Sequence, residues 1–253
     1  MKHESCLVCM QELDEGMDII GWLKGDDNIC GHCRKLFDQI DYHTKLDTYP
    51  LHILYTYKDD IENLIYCFKE NRDIALAPIF FKQYTQYINR HYKGFTIVIM
   101  PSNQEKTEMR TFHAMLEMLK EVNLTIIDPF YKTKVHKQSL QTFLNRKLKI
   151  QEIMKMKENI ILPNTPLLLI DDVLTTASTI KWAFHLLSDH PYPIEGLVLS
   201  AHPLFLEKAK RVKVSKCENK LKKARKILQL LLKMKMTIIE TIRKEMDIIC
   251  KEK

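Results

Sequence analysis

One run of residues, Leu167-Leu-Leu-Ile-Asp-Asp-Val-Leu-Thr-Thr-Ala-Ser-Thr179, constrains the fold of this chain more than any other. Leu167 to Ile170 follow Pro163 and Pro166 and predict a short strand buried on both faces. Asp171 and Asp172 come directly at its carboxyl end, then the hydroxyls of Thr175, Thr176, Ser178 and Thr179, then helical spacing from Ile180. In open α/β sheets ligands sit where strands end and helices begin. A helix N-terminus offers free N–H groups and partial positive charge to a phosphate. Hydroxyls add donors, and paired carboxylates accept hydrogen bonds from a sugar diol. The residue types therefore fit a ribose 5-phosphate. Two other readings stay open. The hydroxyls could simply cap the next helix, or the acids could end the strand of a nucleotide triphosphatase. The second needs a G-x-x-x-x-G-K-[ST] loop, and none of the six glycines begins one.

The rest of the chain alternates in the same style. Leu51–Tyr57 predicts a strand, and Asp59–Asn71 a helix with Ile61, Leu64, Ile65 and Phe68 inward. A second helix is expected over Asp73–His91, with Leu76, Phe80, Phe81, Tyr84 and Ile88 on its core face. Phe95–Met100 is a buried strand ending in Pro101-Ser102-Asn103, followed by a helix over Glu105–Val122 and a short strand at Leu124–Ile127. A cationic stretch, Tyr131–Arg146, leads into a helix over Lys149–Glu158. Lys132, Lys134, His136, Lys137 and Arg146 there could meet an anion or line a solvated face. After the acidic run come a helix, Ile180–Leu187, and a strand, Ile194–Ser200, while residues 34–50 read as a connection. The expected class is α/β, a mostly parallel sheet flanked by helices.

Two C-x-x-C pairs stand near the start, Cys6/Cys9 and Cys30/Cys33. Four thiolates so spaced suit tetrahedral structural Zn²⁺, with Ile19–Leu23 and Gly25–Asn28 as a hairpin between the two turns. A redox dithiol would belong beside a βαβ unit, which this pair lacks; a fortuitous pairing is the remaining reading. His32 and His43 are spare nitrogen ligands, and Cys67, Cys217 and Cys250 stand alone.

The acidic run resembles the phosphoribosyl-pyrophosphate (PRPP) loop of type I phosphoribosyltransferases, an apolar strand followed by D-D-x-x-T-T-G-x-T. Asp171, Asp172, Thr175, Thr176 and Thr179 match; Ala177 stands where the family has glycine. Glycine suits a position that approaches a phosphate closely or takes positive φ. With the cysteine pairs in front, residues 6–200 resemble the ComF family of late competence proteins. Arg110 and Phe112 keep part of that family's R-G-F-N-Q stretch, and Lys134, Gln138 and Arg146 echo its later basic segment. The resemblance implies a zinc-ribbon-like module at 1–45 and a phosphoribosyltransferase-type domain at 46–205. It also implies PRPP held by Asp171, Asp172, Thr175, Thr176, Ala177, Ser178 and Thr179, with Mg²⁺ on the pyrophosphate. The role implied is DNA uptake in natural transformation, with single-stranded DNA and a competence helicase as partners. An active phosphoribosyltransferase of nucleotide metabolism and a non-enzymatic zinc-ribbon scaffold are the alternatives. No residue stands out as a general base.

Charge separates the tail from the body. The chain carries a net +7, but residues 207–253 hold 16 of the 39 Lys/Arg and 6 of the 32 Asp/Glu, leaving the body at −3. The basic character is therefore weak support for nucleic-acid binding by the body. Leu221, Ile227, Leu228, Leu231, Leu232, Met236, Ile239 and Ile242 predict an amphipathic helix within 206–253 that could dock, dimerise or lie on an anionic surface. No apolar run approaches the about 20 residues of a bilayer span, and Met1–Cys6 lacks a signal-peptide core. A cytoplasmic, reducing location is the expectation.

Overall fold

A computed structural model describes residues 5–13, 28–133 and 154–211. It divides into two compact units, Met1–Phe205 and Leu206–Lys253. The first is built on a six-stranded sheet. In chain order its strands are β1 (Gln39–Leu46), β2 (Tyr49–Thr56), β3 (Thr96–Ile99), β4 (Ile126–Ile127), β7 (Leu167–Leu174) and β8 (Ile194–Ala201). The spatial order is β1-β2-β8-β7-β3-β4. Only β1 and β2 pair antiparallel; every other neighbour is parallel. A separate antiparallel pair joins β5 (Phe130–Lys132) to β6 (Met154–Met156). The expected mostly parallel α/β sheet is therefore present.

β7 lies at the middle because its sequence can lie nowhere else. Leu167, Leu168, Leu169 and Ile170 are fully buried, as a strand covered on both faces requires. β3 runs beside it as far as Ile99 opposite Ile170, while β8 continues alongside to Ala201 opposite Leu174. Asp171 and Asp172 thus lie just beyond the last β3 pairing, towards the carboxyl ends of the strands. Gly196 of β8 lets the layers close. A Cβ there would stand 2.7 Å from Leu51 Cδ1 and 3.2 Å from Phe184 Cζ.

The first unit's helices include α1 (Gly31–Lys35), α2 (Asp59–Lys69), α3 (Pro78–Phe81), α4 (Thr85–His91), α5 (Gln104–Arg110), α6 (Ala114–Met118) and α7 (Ser178–Leu186). Several differ from what periodicity predicts. The helix expected over Asp73–His91 is broken into α3, α4 and two 3-10 turns. Phe80 and Phe81 are adjacent yet both fully buried, which one straight helix face does not allow. The helix expected over Glu105–Val122 stops at Thr111, whose φ of 68° ends α5 in a left-handed turn. The connection expected over 34–50 contains β1, an edge strand in which the less exposed Ile40, Tyr42, Thr44 and Leu46 alternate with exposed Gln39, Asp41, His43 and Lys45. Met154–Met156 form β6 where the helix over Lys149–Glu158 was expected, held by pairing to β5. β7 also outruns its apolar core, continuing through both aspartates to Leu174. All of the expected hairpin but Asn28, and the bulk of the cationic stretch, with Lys134, His136, Lys137, Gln138 and Arg146, lie outside the described residues, as does 212–253.

Candidate functional site

At the end of β7 the two aspartates have different surroundings. Asp172 takes the Lys69 ammonium of α2 as its ion-pair partner. Its backbone N–H donates to Asp171 Oδ1 at 3.0 Å, and Ser200 Oγ donates to its carbonyl at 3.0 Å. Burial pushes both carboxyls up. At Asp172 the Lys69 charge and hydrogen bond overcome that push and hold it below the usual carboxylate value. At Asp171 the neighbouring Asp172 charge adds to it, and the carboxyl rises to about 7. One acid is ionised at neutral pH while the other is poised near it. A pair in this state can accept from one hydroxyl of a vicinal diol and share a proton with the other.

Three further groups approach this pair. Lys132 of β5 is half-buried, and the loss of water lowers its ammonium, while the charges of Asp171 and Asp172 act to raise it again. Burial, Glu62 and Asp172 raise the Tyr57 phenol, and burial lowers His113. Lys132 reaches the site because β6 is tied to α7, with Trp182 Nε1 donating to Met154 O at 2.9 Å. Lys69 is fixed from behind. Arg110, buried at the end of α5, donates from Nε to Lys69 O at 2.8 Å and from its Nη2 to Glu70 Oε1 at 2.7 Å. Lys106 joins the same carboxylate at 3.0 Å. The sequence marks Lys132 only as one of several cations and does not mark Lys69 at all. Lys69 is an ordinary basic residue in the last turn of a helix, and only the fold brings it across to residue 172.

The hydroxyl loop leads into α7 without a side-chain cap at its first position. Ala177 is the N-cap of α7 and makes no side-chain capping bond. Thr176 Oγ1 and Ser178 Oγ lie 3.1 Å apart, and Thr175 and Thr176 are exposed. The first N–H groups of α7 therefore receive no cap from Ala177. Ala177 is buried with φ 61° and ψ 6°, the left-handed conformation that glycine adopts freely. A left-handed alanine costs about 1 kcal/mol, offset in part by the extra entropy of unfolded glycine. Ala177→Gly is accordingly expected to raise stability by roughly 0.5–1 kcal/mol in urea denaturation, where an unstrained position would lose stability.

The pair also has a pH signature. Asp171 rises from its unfolded value of 3.8 to about 7, so the folded chain holds a proton that the unfolded chain releases. Its contribution to stability is full below about pH 4 and is lost as pH rises towards 7. Asp171→Asn keeps the acceptor for the Asp172 N–H but never ionises. Its stability relative to wild type should grow between pH 5 and pH 8; a pH-independent difference in denaturation midpoint would contradict the assignment.

The four cysteines converge at the other end of the chain. Cys6, Cys9, Cys30 and Cys33 bring their sulfurs within 4.8 Å of one another, with Cys9 Sγ 3.7 Å from Cys30 Sγ. A tetrahedron with metal–sulfur bonds of about 2.3 Å has edges of about 3.8 Å. Val8 N–H donates to Cys6 Sγ and Cys33 N–H to Cys30 Sγ, each at 3.4 Å, so backbone donors already face the charge that two of the thiolates would carry. The cluster could hold one metal ion without histidine. His43, a spare ligand by sequence, lies instead with Asp41 and His52.

Two clefts of about 560 and 510 Å³ are also present, the first bordered by Pro78, Lys82 and Glu121 and the second by Gln83, Tyr87 and Arg90. Neither includes Asp171 or Asp172.

Comparison with known proteins adds a set of structural neighbours. No family model and no curated sequence matches the chain. The solved structures that are similar include a hypoxanthine phosphoribosyltransferase from Staphylococcus aureus, at 14% identity and TM-score 0.34. It aligns over 53% of this chain, which spans about two thirds (66%) of its length. Adenine phosphoribosyltransferase from Saccharomyces cerevisiae aligns at 10% identity and TM-score 0.35, covering 54% of this chain and 74% of the yeast protein. Orotate phosphoribosyltransferase from Mycobacterium tuberculosis aligns at 13% identity and TM-score 0.28, covering 65% and 90%. These neighbours are phosphoribosyltransferases, but likenesses of this strength carry no functional argument. Among the described residues no helix is long and apolar enough to cross a membrane.

Proposed function

We propose that this chain binds a ribose 5-phosphate, PRPP in the first instance, at the carboxyl end of β7. The observation that supports this most is the unequal acid pair directly before an uncapped helix start, with Lys69 and Lys132 beside it. In this reading Asp171 and Asp172 hold the ribose 2- and 3-hydroxyls. The N–H groups and hydroxyls of Thr175, Thr176, Ala177, Ser178 and Thr179 hold the 5-phosphate. Lys69 occupies Asp172 until ligand arrives. The diol displaces its ammonium, which then meets the pyrophosphate together with Lys132. Mg²⁺ would enter with the pyrophosphate and offset its charge. If transfer follows, the acids stabilise the positive charge that develops at C1 as pyrophosphate leaves.

The biological role we infer is a ComF-type competence protein that assists DNA uptake and processing in natural transformation. Single-stranded DNA and a competence helicase would be its partners and the cytoplasm its place of action. Support comes from the joint occurrence of the Cys6/Cys9–Cys30/Cys33 pairs, read as a structural Zn²⁺ module, and the Asp-Asp-x-x-Thr-Thr loop. The second reading is an active phosphoribosyltransferase. Asp171, held near neutrality, favours it, because a proton can leave or arrive there at physiological pH.

Incubation with PRPP, Mg²⁺ and a panel of bases separates the two. Pyrophosphate release that depends on Asp171 supports the transferase. PRPP binding without turnover, combined with salt-dependent affinity for single-stranded DNA, supports the competence role. Repeating the DNA titration without residues 207–253 assigns that affinity to body or tail. A chain that binds neither PRPP nor DNA contradicts both.

A further inference from the structure

The β1–β2 hairpin carries a second group of metal-ligating side chains that the ribose-phosphate reading does not use. His43 of β1 and His52 of β2 are direct cross-strand partners, so both project from the same face of the sheet. Their rings stack at 3.9 Å between centroids. Between Gln39 and Tyr42 the register slips by a bulge, and Asp41 within it takes φ 42°. A bulge of this kind re-aims a side chain. Here it brings Asp41 Oδ1 to 2.5 Å from His52 Nε2 and 3.8 Å from His43 Nε2.

We propose that Asp41, His43 and His52 form a second metal site, which takes a divalent first-row transition ion through two imidazoles and one carboxylate. Bonds of 2.0–2.2 Å to a tetrahedral ion place neighbouring ligand atoms about 3.3–3.6 Å apart. The distances of 2.5 and 3.8 Å bracket that spacing, and all the ligand atoms lie within 4.8 Å of one another. The donor set suits Zn²⁺, Ni²⁺ or Cu²⁺ rather than Mg²⁺ or Ca²⁺. A buried histidine satisfied by one carboxylate would account for His52, whose side chain is 3% exposed. It would not account for His43 being stacked on that ring and turned to the same carboxylate oxygen, nor for the left-handed backbone at Asp41. His43 and Asp41 are 62% and 60% exposed, so solvent reaches the remaining coordination positions. Tyr87 of α4 meets the His52 ring edge-on at 5.6 Å and stacks on His91. With Gln83, Gln86, Arg90 and His91 it lines the neighbouring cleft of about 510 Å³.

Metal content decides the matter. Full-length protein equilibrated with Zn²⁺ and desalted is expected to carry two ions per chain by mass spectrometry, one on the cysteines and one here. His43→Gln alters an exposed side chain, keeps the fold, and is expected to carry one. A Co²⁺ titration of zinc-loaded protein, read by its visible absorption, should show affinity at least about tenfold weaker in His43→Gln and in Asp41→Asn. A single ion per wild-type chain, or a second ion bound equally by both variants, would overturn the proposal.

Discussion

A Cys30→Ser/Cys33→Ser chain is expected to lose its thiolate-bound metal and to melt about 6–20 °C below wild type. Binding free energies for structural Zn²⁺ in small modules are about 10–16 kcal/mol and become folding free energy, because no preformed site survives unfolding. The effect reaches the body through packing. Cys6, Leu7, Leu13, Ile29, Cys30, Cys33 and Phe37 belong to the same buried cluster as Leu54, Tyr55 and Phe80. Loss of even 3–5 kcal/mol at about 2–4 °C per kcal/mol gives the stated shift. Metal analysis and thermal denaturation with and without chelator measure it. A variant that keeps its metal, or a wild type whose melting ignores chelation, would contradict the ligand set.

Asp172→Asn should give the second large effect. Lys69 and Asp172 are 18% and 16% exposed, so each is mostly removed from water and depends on the other. Removing one member of a buried pair costs about 3–5 kcal/mol, and the residual exposure places this pair near the lower figure. Lys69→Met should cost less stability. It also removes the charge that keeps Asp172 low beside Asp171, so Asp172 is expected to titrate higher by carboxyl NMR. The double variant should recover part of the loss, because neither charge is then left alone. Additive single-site losses in chemical denaturation at pH 7 would mean that the two groups are not coupled.

What the sequence disclosed follows from how local each signal is. The Leu167–Thr179 run carries its strand, its acids and its turn in consecutive residues, so its place at the centre of the sheet was legible. The positive φ of Ala177 was legible too, since it stands where the resembled loop has glycine. The cysteine pairs give their own spacing. Lys69 was not legible, because its partner lies 103 residues away and joins it only after β2, β8 and β7 are set side by side. β1, by contrast, carried a legible signal. Its less exposed Ile40, Tyr42, Thr44 and Leu46 alternate with exposed Gln39, Asp41, His43 and Lys45, the period of a half-buried strand. Single helices were expected where two pieces occur because periodicity reports a buried face and not the turn at Thr111 that divides it.

Calorimetric titration of PRPP with Mg²⁺ into wild type and Asp171→Ala/Asp172→Ala tests the central claim most directly. The account predicts one saturable site per wild-type chain, with binding that weakens at least about a hundredfold in the variant, since its charge-assisted hydrogen bonds to the diol contribute about 1.5–3 kcal/mol each. Absence of saturable heat from folded wild-type protein, or equal affinity in the double variant, would contradict it.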